Sequence, residues 1–289
     1  MSKKKKLLKI QAKEIKINNK LDELFEEKDF VYFDFYSELN EIINFIINNL
    51  HFKNCNYTNE ALRSKIRDHG KRVSKNVDEI IIYLTEIKLI KLSNIEKQNL
   101  KIASLLHDIG KIYKDDNHEI YSAIISKYLM DMDYKMKKDS IFNEARINEI
   151  TNIILNHSHK KKKRNEINIC SKILRDADLF DENCGHSLVS LLASVIKNNS
   201  KKVDKKGNKI YNLNHLIYDE SDRYLNEVQT YHHLCDIYDR INIYENIFLF
   251  NKMLKEAISI YDEMTFNHRY EYKKNGGIID DDKYIIRID

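Results

Sequence analysis

The chain has 289 residues, of which 42% are apolar and 33% charged, and its formal net charge is only +4, too thinly spread to form a dense basic stripe for nucleic acid. It holds no proline, no tryptophan and six glycines, so the turn signals that a sandwich or barrel needs about every eight to twelve residues are missing. No run approaches the roughly 20 apolar residues of a membrane span, and Cys55, Cys170, Cys184 and Cys235 form no CxxC pair, as expected of reduced thiols in a cytoplasmic protein.

In chain order, residues 1–35 form a charged N-terminal segment with weak helical periodicity, read as a solvated or peripheral helix. The start MSKKKK is not followed by the apolar stretch of a signal peptide, and Lys3 to Lys6 are read as a frayed terminus. Leu39, Ile42, Ile43, Ile46, Ile47 and Leu50 recur at three- and four-residue steps and predict one amphipathic helix. Five further helices are predicted at about 59–90, 95–107, 117–131, 142–157 and 168–181, joined by short polar connections as in a helical bundle. They give a core domain over 36–200, whose end at 186–198 also reads as helical. Residues 201–289 read as a mainly helical C-terminal extension packed on the core, with a helix over 213–268. A small hairpin is expected at VDKKGNKIY (203–211), and GGIIDDDKYIIRID at the end suits a short strand pair. The expected fold is all-α, with at most a small β-hairpin.

The chemistry lies in where the histidines fall within those helices. Leu62, Ile66, His69, Val73 and Val77 follow steps of four, three, four and four, so His69 lies on an apolar face. Leu100, Ala103 and His107 share a stripe, as do Ile147, Ile150, Ile154 and His157, and His118 aligns with Tyr121, Ile125 and Leu129. One inward histidine is more often a satisfied core residue than a ligand. Four on separate helices of one bundle each need a buried partner, and a shared cation serves all of them. Asp108 stands beside His107 in ASLLHDIGK, where Gly110 is expected to terminate the helix and leave Lys111 near the site mouth. In ILRDADLFDE, Asp176, Asp178 and Asp181 crowd an apolar helix, which costs repulsion unless a cation or base is near. Periodicity does not choose between Asp176 and Asp178.

With the His of IRDHGKRV, the pair in LLHDIGK, HEIYSA, ITNIILNHSHK and LRDADLFDE in this order, the chain resembles the HD superfamily of metal-dependent phosphohydrolases over roughly residues 58–195. The resemblance implies an HD-type helical core and a first divalent ion held by His69, His107, Asp108 and Asp178. Asp178 is favoured over Asp176 because the family ligand is the aspartate of an Ala-Asp pair. His118 and His157 match the positions that complete a second site, with Asp108 bridging. One or two ions are implied, and imidazole with carboxylate suits Mn, Fe, Zn, Co or Ni alike. The implied reaction is attack of a metal-activated hydroxide on phosphorus in a small phosphorylated substrate, a nucleotide by preference. Asp108 and Lys111 are the catalytic candidates, with Lys111 neutralising a phosphate oxygen.

His159, Lys160 and Arg164 are candidates for binding the substrate, His159 also as a proton donor or alternative ligand. His232 and His233 read as structural. The absence of proline removes the Gly-Tyr-Pro signature of cyclic-di-GMP phosphodiesterases, and Gly110-Lys111 replaces the Glu-Asp pair of alarmone hydrolases. The longer histidine motifs of deoxynucleoside triphosphohydrolases are missing too. Two alternatives stand beside this reading: a non-catalytic nucleotide-binding or sensing domain, and a di-iron oxygenase on the same helices. A homo-oligomer is compatible with the sequence.

Overall fold

The structure is a computed structural model that describes residues 3–26, 35–53, 55–158, 167–184 and 240–253, and among these there is helix and no strand. The chain divides into two units, one of residues 1–179 with 241–246 and one of 180–240 with 247–289.

In the first unit, helix α1 spans Lys3–Glu26. It is less solvated than its charge suggests. Ile17, Leu21 and Phe25 recur at four-residue steps and are buried, and Lys13 donates to the Tyr121 hydroxyl at 2.6 Å. Helix α2, Leu39–Asn49, buries Leu39, Ile42, Ile43, Ile46 and Ile47, the stripe read from the sequence.

The next helix runs unbroken from Asn59 to Glu86 as α3 (Asn59–Leu62), a π-helical segment Arg63–Asp68, and α4 (His69–Glu86). Thr58 caps its start by accepting from the Ala61 N–H. Helix α5, Asn94–Leu106, starts where Ser93 and Glu96 form a capping box, satisfying two orphan donors at once. A 3₁₀ turn at Ile109–Ile112 leads to α6, His118–Met136. Helix α7 covers Glu144–Leu155, with Asn143 as its N-cap, and α8 covers Ile169–Cys184.

Helix α8 is wrapped on every side, with Ile173, Leu174, Arg175, Asp176, Ala177 and Leu179 all buried. A helix so enclosed belongs to the centre of its unit. Asn76 of α4 donates to the Ala177 carbonyl at 3.0 Å and keys the rotation of α8 at the residue before Asp178.

In the second unit, Phe180 and Phe250 lie with ring centroids 5.3 Å apart, and residues 247–253 are helical. The helix expected over 213–268 is not continuous, because residues 241–245 are irregular. Their backbone is engaged by α8 rather than by helical hydrogen bonds: Asn242 and Ile243 donate their N–H groups to Asp176. The expected helix at 186–198, hairpin at 203–211 and terminal strand pair lie outside the described residues. No described helix is long and apolar enough to cross a membrane.

Candidate metal centre

His69 occupies the junction where the π-helical segment passes into α4, a kind of irregularity often found at functional sites. Gly70, next to it, lets α4 approach α5 closely, since a Cβ there would stand 3.0 Å from the Leu105 carbonyl oxygen. His107 ends α5 and is fully buried. Gly110 does not act as the expected helix terminator, because α5 already stops at Leu106 and the chain enters the 3₁₀ turn. Glycine is needed there for contact: a Cβ would lie 2.3 Å from the His118 carbonyl oxygen and 2.4 Å from the Ser122 nitrogen. The Gly110 N–H donates to the Ser122 hydroxyl at 2.8 Å, locking the turn after Asp108 onto the first turns of α6. Asn117 reaches α6 through a left-handed conformation (φ 58°) that Asn tolerates better than most residues.

These elements bring six predicted residues together. The two oxygens of Asp108 face different histidines. Oδ2 lies 3.5 Å from His69 Nε2 and 3.6 Å from His107 Nε2, while Oδ1 lies 3.0 Å from His118 Nε2 and 3.9 Å from His157 Nε2. Asp178 Oδ1 joins the first group at 3.0 Å from His69 Nε2 and 3.6 Å from His107 Nε2. The groups His69–His107–Asp108 and Asp108–His118–His157 each bring their ligand atoms close enough for one metal ion, as does His107–His157–Asp178. Lys111, far from being a free helix-end lysine, pairs with Asp108 Oδ2.

The orientation of the rings argues for a cation. Nδ1 of His107 lies 2.7 Å from the Ser104 carbonyl, Nδ1 of His118 is 2.9 Å from that of Asp115, and Nδ1 of His157 is 2.6 Å from that of Ile154. A carbonyl only accepts, so each Nδ1 carries the proton, and each inward Nε2 offers a lone pair unless a second proton sits on it, as the bond to ionised Asp108 requires at His118. Nε2 of His118 then meets Nε2 of His157 at 3.1 Å, and that of His107 meets that of His69 at 3.3 Å. Facing lone pairs repel unless a proton or a metal ion lies between them. The donor set thus fits divalent ions held by imidazole and carboxylate.

The electrostatics agree. Burial raises the Asp108 pKa, but His107, Lys111 and His118 outweigh it and hold the carboxyl well below its usual range. Burial opposes Asp178 likewise, and its bonds to His107 and His69 bring it well below the usual range. Lys111 loses to burial but gains more from Asp108, so its pKa rises. Desolvation also disfavours the His118 cation, yet the hydrogen bond and charge of Asp108 raise its pKa. His157 is pushed down to about 3, first by burial and then by His107.

The two aspartates that periodicity does not separate differ in their surroundings. Asp176 points away from the cluster and accepts four hydrogen bonds: Oδ1 from the Asn242 N–H (2.7 Å) and amide (2.9 Å), Oδ2 from the Ile243 N–H (3.0 Å) and the Asn246 amide (2.8 Å). It needs no cation. His159, Lys160 and Arg164 lie outside the described residues. Sequence reasoning overlooked Asn76, Arg175 and Asn242. The one legible signal was a charged Arg175 inside an apolar helix.

Comparison with known proteins finds one family: a model described as HD domain matches residues 58–183. No curated protein and no solved structure matches the chain.

Proposed function

We propose, from the premise that residues 58–183 are an HD domain, that the chain is a metal-dependent phosphohydrolase acting on a small phosphorylated substrate, a nucleotide by preference. The observation that carries this reading is the division of the two Asp108 oxygens between two sets of inward imidazoles. His69, His107, Asp108 and Asp178 would hold one ion, and Asp108, His118 and His157 a second. Such ions supply Lewis acidity toward a phosphoryl oxygen and bring a water pKa toward neutrality.

The protein's own residues do the rest. Carbonyls of Ser104, Asp115 and Ile154 fix three imidazole tautomers before any ion arrives, so little reorganisation is needed on binding. Asp108 stays ionised at neutral pH because its cationic neighbours overcome burial. Lys111 remains charged and keeps 17% of its side chain exposed, so its ammonium is placed to meet a non-bridging phosphate oxygen. Burial of His107 and His157 limits water around the cluster, which strengthens each of these interactions.

The test is release of phosphate or nucleoside monophosphate from a nucleotide panel by chelator-stripped protein, with and without Mn(II) or Fe(II). Turnover should require the metal, and Asp108→Ala should lower it on the order of 10³-fold, the equivalent of several kcal/mol of transition-state stabilisation. Full turnover in that variant would overturn the assignment. No turnover over the whole panel, with nucleotide-dependent thermal stabilisation instead, would favour a sensing domain.

A further inference from the structure

Arg175 has no part in the site described above, yet it is 3% exposed and two of its three guanidinium nitrogens are committed to one short stretch of chain. Its Nε donates to the Asn156 carbonyl at 2.6 Å and one terminal nitrogen donates to the Ser158 carbonyl at 2.8 Å. These are the residues on either side of His157. The other terminal nitrogen has a longer contact, 3.4 Å, with Asn242 Oδ1. Helix α7 ends at Leu155, so the carbonyls that follow have no helical partner and require an outside donor. A planar fork of donors can hold two of them at once, which a lysine ammonium cannot do in fixed directions.

His157 is the histidine with least support from its own helix, since it lies beyond the C-cap Asn156. Its ring packs edge-on against that of His107, centroids 4.9 Å apart, and is anchored to the chain by the Nδ1–H bond to Ile154 and by the path of the backbone through 156–158. We propose that Arg175 is a positioning residue for the His118–His157 half of the metal centre, holding the backbone around His157 so that Nε2 faces Asp108 and His118. This rests on the proposed metal reading and deepens it. The bond pattern also shows why this half differs from the other, whose His69 is carried within an unbroken helix.

The experiment is isothermal titration of chelator-stripped full-length protein with Mn(II), comparing wild type, Arg175→Met, Arg175→Lys and Ser140→Ala. Ser140 donates to Asp133 away from the centre, so its variant controls for a general loss of stability, followed as Tm. Arg175→Met should weaken one ion on the order of 10- to 100-fold, the range for lost outer partners of metal ligands, and leave the other within about twofold. Arg175→Lys should fall between wild type and Met, and Ser140→Ala should bind both ions as wild type does. If the Met variant does not fold, the Lys variant carries the test alone, by selective weakening of one ion.

Unchanged binding in the Arg175 variants would overturn the inference while leaving the metal reading intact. So would equal weakening of both ions, which marks a purely structural role, and so would a single wild-type ion whose affinity the variants leave alone. Wild-type protein that binds no Mn(II) would instead defeat the metal reading itself.

Discussion

Asp176 and Asp178 lie two residues apart on α8, about 200° around the helix from one another, and they show two ways of keeping a carboxylate in a protein interior. On one face, Asp176 is surrounded by neutral donors fixed in the fold, four N–H groups from the 242–246 segment. On the other, Asp178 meets the inward ring nitrogens of His69 and His107, at 3.0 and 3.6 Å. The first arrangement is complete without a ligand and does structural work, tying an irregular segment to the central helix. The second sets a carboxylate among imidazoles, a donor set compatible with a divalent ion. Asp176 is fully buried and Asp178 keeps 14% of its side chain exposed; the residue type is the same and the neighbours differ.

The sharpest way to break this contrast is by substitution on each face. Asp178→Ala should lower metal-dependent hydrolysis on the order of 10³-fold and cost the protein tightly bound metal, read by elemental analysis. Asp176→Ala should keep the metal and lose stability instead. Each buried donor left without a partner costs about 1–3 kcal/mol, so a total of at least about 4 kcal/mol is expected for the four, or a Tm fall of roughly 8–16 °C. A Tm loss for Asp178→Ala as large as that for Asp176→Ala, or metal loss in Asp176→Ala, would erase the distinction.

A more gradual effect belongs to pH. In chelator-stripped protein the folded His157 takes up its proton only near pH 3, against an ordinary value of 6.5. Between those values the unfolded chain binds the extra proton, so stability falls as the pH drops from 6.5 toward 3, by up to about 1.4 kcal/mol per pH unit. His157→Gln should flatten denaturant-derived stability over that window, and an unchanged slope would contradict the burial of this ring. The smallest effect is at Cys170 on α8, whose thiol burial pushes up to about 12. It should resist iodoacetamide at pH 8 in folded protein and react once the protein is unfolded, as mass spectrometry of the labelled peptide would show.

How much was legible beforehand follows from what each inference needed. The inward stripes at His69, His107, His118 and His157 depend only on helical periodicity, and all four rings meet in the structure. The helix starts expected at about 59 and 95 fall at Asn59 and Asn94. Gly110 was misread because a glycine after a helix has two uses, and only the position of α6 reveals which one operates. The helix across 241–245 was misread for a similar reason: the partner of that backbone is Asp176, 66 residues earlier for Asn242.

The sequence by itself determined the helical class, the faces of the helices and the set of imidazoles that turn inward, because all three are consequences of a 3.6-residue period acting on side-chain polarity. Only the tertiary structure decided which aspartate joins them, why Gly110 must lack a Cβ and how Arg175 holds the chain around His157. Those depend on distances between helices far apart in sequence, where a hydrogen-bond length decides which donors a carboxylate meets.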